Sequence, residues 1–120
     1  GMCTLLPQRR GFSEHITVRS VVGRFLEHSR VYWFQHGDDP KVLIGSADLM
    51  ERNLERRIEV LVPVKSPEIR RWLYETLLQR YLDDVGRTRV MASDGDYVRV
   101  RSEHHFAPDV HEQFLKDIGA

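Results

Sequence analysis

One histidine, several arginines and three carboxylates gather around a serine turn in the first half of the sequence. They lie in His28-Ser29-Arg30, then Gly45-Ser46-Ala47-Asp48, then Arg52-Asn53-Leu54-Glu55-Arg56-Arg57-Ile58-Glu59. Side chains of these types handle phosphate. An imidazole holds or passes a proton near neutral pH, a guanidinium fork matches phosphoryl oxygens two at a time, and a glutamate orients either partner. His28 and Arg30 are two apart, so a strand puts them on one face, where a fixed positive charge favours the neutral ring that can exchange protons. The same spacing pairs Arg57, expected at phosphate, with Glu59, expected to orient His28 or Arg30 or to form an ion pair with an arginine. Ser46 can donate from its turn. Asp48, an acceptor-only group that would repel phosphate, is read as fixing local geometry.

The elements that must position these groups follow from the pattern. Met2–Leu6 reads as a strand ended by Pro7 and the Arg9-Arg10-Gly11 turn, and Ile16–Val22 as a second that reaches Phe25. His28–Gln35 carries large side chains on both faces, as a central strand does. His36–Pro40 turns the chain and Lys41–Ile44 returns it, so this hairpin brings Ser46 and Asp48 back toward the His28 end. Glu51–Arg57 is short and charged, and Ile58–Val64 is again a strand. Ser66-Pro67-Glu68 opens a helix with a hydroxyl cap, proline in the first turn and an acid after it. Its stripe Ile69, Trp72, Leu73, Thr76, Leu77, Arg80 and Tyr81 is expected in the core, and Asp83–Gly86 closes it. Asp94-Gly95 marks a hairpin. Pro108–Ile118 makes a last helix with Val110, Phe114 and Ile118 on one face.

The His-x-Arg pair, Gly-Ser-x-Asp and the later Glu resemble the half-motif of the phospholipase D superfamily, with Arg30 in place of its Lys and Asp48 in place of its Asn. Gly23-Arg24-Phe25-Leu26-Glu27 ahead and Arg52-Asn53-Leu54 behind make the stretch similar to the last catalytic domain of bacterial polyphosphate kinases. The likeness runs from Gly1 through Pro67 and on through Asp94–Val100; Leu49 departs from it, where that family carries Trp. The resemblance implies an α/β fold, one phospholipase D-like half-unit with a mixed β-sheet and packing helices. It also implies reversible transfer of the terminal phosphoryl of ATP to inorganic polyphosphate through a phosphohistidine. His28 would contact the nucleotide and serve the leaving group as acid or base. His28, Arg30, Arg57 and Ser46 would form the nucleotide and phosphate set, with Glu59 and Asp48 in support and Arg19, Arg24 and Arg52 along a polyanion channel. The facing half-motif, with the phosphorylated histidine and the Mg²⁺ ligands, belongs in that family to a preceding domain, so no metal ligand is assigned here. The rival readings are a homodimeric phospholipase D-like phosphodiesterase or nuclease and a non-catalytic polyanion-binding module.

Composition bounds these readings. With 120 residues the chain is expected to form a single domain, spanning 1–120. Its 30% charged and 41% hydrophobic residues suit a folded protein rather than a disordered one. Eighteen basic residues balance eighteen acidic ones, so bulk charge does not argue for polyanion or nucleic-acid binding. The clustering of Arg over Lys in the motif half favours directed phosphate contacts, against a blander role as solvated ion pairs with Glu27, Glu51 and Glu55. Cys3 is the single cysteine and excludes an internal disulfide. No run approaches the ~20 apolar residues of a membrane span. A cytoplasmic location is expected, with peripheral membrane association and homo-oligomer formation left open. Gly1 is not an initiator and a strand follows at once, which suits a piece of a longer chain. His15, His36, His104, His105 and His111 are assigned to the surface.

Overall fold

β-branched and aromatic runs broken by Gly, Pro and Asp can build only short strands, and the strands are short. The computed structural model describes residues 3–100 and 109–119. Within them lie β1 (Arg19–Val21), β2 (Val31–Phe34), β3 (Lys41–Gly45), α1 (Glu51–Arg56) and β4 (Leu61–Pro63). A helical run follows as α2 (Pro67–Trp72), a π-helical turn (Leu73–Leu78) and α3 (Gln79–Asp83). Next come β5 (Thr88–Met91), β6 (Tyr97–Arg99) and α4 (Val110–Asp117). The α/β class holds, but the strands divide between two three-stranded antiparallel sheets, ordered β1-β5-β6 and β2-β3-β4. The chain forms two compact units, one of Gly1–Leu26 with Arg80–Ala120 and one of Glu27–Gln79.

In the Glu27–Gln79 unit, β2 and β3 form the expected hairpin, with Val31 opposite Ile44 and Phe34 opposite Lys41. β3, not β2, is the central strand of this sheet, because β4 pairs on the far side of β3 with Ile44 opposite Val62. Val42 lies buried at the centre. Ser66 caps α2 by accepting from the Ile69 N–H, as its hydroxyl and the following proline predict. The expected core stripe of this helix is only partly buried. Leu73 is inside, but Ile69 and Trp72 are 53% and 51% exposed. The π-helical turn that starts at Leu73 inserts an extra residue and moves the buried face off the 3.6-residue period. Tyr74, rather than Trp72, consequently stacks on Trp33 at 4.8 Å.

In the other unit, Cys3–Leu6 is not a strand, and Met2 lies outside the described residues. Bonds to the following turn hold it instead: Ser13 Oγ donates to the Leu6 carbonyl, and the Gln8 backbone N–H donates to the Ser13 carbonyl. β1 stops at Val21, short of Phe25. The β5–β6 hairpin turns at Gly95, whose φ of +99° favours glycine. Asp84, 1% exposed, accepts from the N–H groups of Arg87 and Val110 and so ties the end of α3 to the start of α4. His111 corrects the surface assignment: it is 6% exposed, and its Nδ1 accepts from the Phe25 N–H. Gly23 makes room for it, since a β-carbon there would come within 2.3 Å of the imidazole. Val110 is buried and Phe114 half-buried, but Ile118 falls past the end of α4 and is exposed. His15 and His36 are exposed; His104, His105 and Pro108 lie outside the described residues. Among the described residues no helix is long and apolar enough to cross a membrane.

Candidate active site

The polar constellation lies entirely within the Glu27–Gln79 unit, at the end of the β2–β3 hairpin where Arg30 enters β2 and Ser46 leaves β3. The hairpin ladder fixes this meeting, since the Gly45 N–H donates to the Arg30 carbonyl at 3.2 Å. Two further bonds hold the turn after β3. Tyr32 Oη donates to the Ala47 carbonyl at 2.5 Å, and the Ser46 N–H donates to the Val60 carbonyl at 3.1 Å. Gly45 is needed for that approach, because a β-carbon would sit 2.2 Å from the Val60 carbonyl oxygen.

Arg30 is held at its edge by Asp48, through Nε to Oδ1 at 2.8 Å and a second nitrogen to Oδ2 at 3.2 Å. Its remaining terminal nitrogen donates to the His28 carbonyl at 2.9 Å and lies 3.2 Å from His28 Nδ1. A guanidinium has no acceptor, so Nδ1 must accept, and a neutral His28 then carries its proton on Nε2. A guanidinium has five N–H donors, and these contacts engage four. One is left over, and Arg30 chiefly joins Asp48 to His28. The hydrogen bonds from Arg30 hold the Asp48 carboxyl below its ordinary range, with the charges of His28 and Arg52 adding to the effect. Reciprocally, Asp48 raises the pKa of Arg30 further.

Glu59 is placed differently from expectation. It precedes β4 rather than lying in it, and it bonds neither His28 nor Arg30. Ser46 Oγ donates to its Oε2 at 2.5 Å and Asn53 Nδ2 to its Oε1 at 2.7 Å. These two donors, Ser46 first, lower the Glu59 pKa, and the charges of Arg57 and Arg30 lower it further. Because Ser46 gives its proton to Glu59 and accepts from the Val60 N–H at 3.2 Å, it is not a free phosphate donor in this arrangement. Arg57 is exposed and makes no side-chain hydrogen bond among the described residues. Arg52 is exposed on α1, and Leu49 is also exposed. Arg19 and Arg24 belong to the other unit, where Arg24 lies 5.2 Å over the Phe25 ring.

Asn53 is the side chain that sequence reasoning left out of the site. It is 3% exposed, and its Oδ1 has no hydrogen-bond partner among the described residues, a deficit of roughly 1–3 kcal/mol. The signal that could have found it was a carboxamide within a short, highly charged helix, six residues before Glu59. Among the described residues no three of His, Cys, Asp or Glu cluster to hold a metal. The site carboxylates are already engaged by Arg30, Ser46 and Asn53, so these residues do not fit a magnesium site.

Comparison with known proteins shows what the chain is similar to. Residues 1–111 match the family profile described as polyphosphate kinase C-terminal domain 2. A polyphosphate kinase of Prochlorococcus marinus is 50% identical over 111 residues, which is 89% of this chain and 15% of that protein. One from Xylella fastidiosa is 48% identical over 108 residues, 90% of this chain and 16% of that protein. The crystal structure of polyphosphate kinase from Porphyromonas gingivalis superposes with a TM-score of 0.80 at 30% identity, covering 89% of this chain and 16% of that one. The chain thus spans about one-sixth of the length of the curated relatives it matches. With its polar cluster held on the hairpin as described and nearly its whole length matched, the chain belongs to the polyphosphate kinase family.

Proposed function

We propose that these residues form one side of the site at which a polyphosphate kinase moves the terminal phosphoryl of ATP to inorganic polyphosphate, reversibly, by way of a phosphohistidine outside this sequence. In this reading 1–120 is part of a single C-terminal catalytic domain, and the preceding domain of the same protein faces it. The observation that carries the proposal is the His28–Arg30–Asp48 arrangement. Asp48 orients Arg30, Arg30 donates to His28 Nδ1, and Nε2 is left as the proton-bearing edge of an exposed imidazole. In this form Nε2–H can donate a hydrogen bond to a phosphate oxygen; delivering a proton to the leaving oxygen takes the doubly protonated ring, whose Nδ1–H turns away from Arg30, and the neutral ring takes the proton back in the reverse direction. Arg57, which makes no side-chain hydrogen bond among the described residues, supplies charge for the phosphate chain, with Arg52 of the same unit as a further cation. Phosphoryl transfer depends on positioning and charge stabilisation, which is what this set can provide.

Mg²⁺, which the family resemblance implies, would take its ligands from outside these residues, and no step is assigned to it here. A cytoplasmic setting goes with an ATP-consuming reaction. The phosphodiesterase alternative is disfavoured by Arg30 and Asp48 standing where the phospholipase D motif has Lys and Asn. The test is reconstitution: this chain, mixed with a separately expressed preceding domain, is expected to restore ATP-dependent polyphosphate synthesis that neither part performs alone. Robust synthesis by this chain alone would overturn the half-site reading.

A further inference from the structure

A nearly buried carboxamide beside the exposed, charged site needs explaining. Asn53 presents its donor end to Glu59 and leaves its acceptor end unmet. Because a carboxylate only accepts, the amide cannot be turned around without setting oxygen against oxygen. An apolar side chain of the same size would fill the space without the unmet carbonyl. The donor end is therefore what this position supplies. Its partner Glu59 has two cations close enough for their charges to act on it, Arg57 and Arg30. Arg30 is already clamped by Asp48, but Arg57 has no side-chain hydrogen bond among the described residues. Released from Asn53, Glu59 would have a free guanidinium two residues away to turn to.

We propose that Asn53 is a positioning residue which, together with Ser46, holds Glu59 away from Arg57 and so keeps Arg57 available for a phosphate chain. The inference rests on the reading of Arg57 as a phosphate contact and extends it: Glu59 is a competitor for that arginine, restrained by the amide on one oxygen and the hydroxyl on the other. A role in packing alone would make binding follow stability. A positioning role separates the two and makes the defect depend on Glu59.

The test uses the full-length protein, with tripolyphosphate binding measured by calorimetry and ATP-dependent synthesis measured in parallel. Asn53→Leu is expected to weaken tripolyphosphate binding about ten-fold, the scale of one hydrogen bond to a charged group, without lowering the melting temperature. In a Glu59→Gln background the same replacement is expected to change binding less than two-fold, because the competing charge is gone. In an Arg57→Ala background it is likewise expected to add nothing. Unchanged binding in a folded Asn53→Leu protein, or an undiminished loss in the Glu59→Gln background, overturns the inference. Asn53→Ala serves the same comparison if the leucine variant does not fold. Wild-type protein that binds tripolyphosphate but makes no polyphosphate from ATP would sink the proposed function and leave the Asn53 assignment standing.

Discussion

Two histidines, one in each compact unit, show how differently the same side chain is used. His111 is buried against Gly23, accepts a backbone N–H through Nδ1 and faces the rings of Phe25 and Tyr81. His28 is exposed and accepts through the same nitrogen, but from a side chain that is itself gripped by a carboxylate. The carboxylates divide in the same way. Asp84 spends its oxygens on backbone N–H groups and joins elements, whereas Asp48 and Glu59 are held by side chains at an exposed rim. A polar group whose partners are backbone atoms builds the fold. One whose partners are other polar side chains, with an edge left open, is available for chemistry.

The sharpest way to break this contrast is to remove each ring in turn. In the full-length protein His28→Ala is expected to lower kcat by about 10²–10⁴, the usual range for a lost acid–base group, with unfolding unchanged. His111→Ala is expected to do the reverse, costing about 2–5 kcal/mol in denaturant unfolding while the folded fraction keeps its turnover. A next test bears on the clamp. Arg30→Lys keeps the charge but loses the planar fork that reaches Asp48 and His28 together. A fall of about 10- to 100-fold in kcat/KM is expected in steady-state assays.

Two glycine replacements sharpen the comparison at smaller scale. Gly23→Ala and Gly45→Ala would each set a β-carbon within 2.3 Å or less of a neighbour, and each is expected to cost about 1–3 kcal/mol by thermal unfolding. Only Gly45→Ala should also impair activity, since the obstructing atom is the Val60 carbonyl that holds Ser46. The smallest effect is in pH. Lys41, with Arg70 after it, holds Asp39 down to about 2, against an ordinary value of 3.8. Its folded-state pKa is depressed, so the stability it contributes is present above 3.8 and is lost as pH falls from there through about 2. Urea midpoints followed over that window should fall, and Asp39→Asn should flatten the change. A slope indifferent to that substitution would remove Asp39 as the cause.

Some of this was open to reading in one dimension. The hairpin from His28 to Ser46 was legible because its turn, its β-branched strands and its two-residue period are local. Ser66-Pro67 announced a helix for the same reason. The phosphate reading proposed above rests on residue types. Three features were not. The π-helical turn shifts the phase of the helix face and exposes Ile69 and Trp72. The division into two antiparallel sheets depends on pairings between distant segments, such as Arg19 with Val90. The burial of His111 depends on the space left by a glycine 88 positions earlier.

The amino-acid sequence by itself determined which groups exist, their spacing along the chain and so which could share a strand face, because those follow from covalent order and backbone period. Which donor meets which acceptor was decided only in three dimensions. Asp48 could have served Arg30, Arg52 or neither, and Glu59 could have paired with any nearby arginine. The hairpin register, the close approach at Gly45 and the burial of Asn53 gave Arg30 to Asp48 and Glu59 to Ser46 and Asn53, since a hydrogen bond is set by ångström distances that spacing along a chain does not specify.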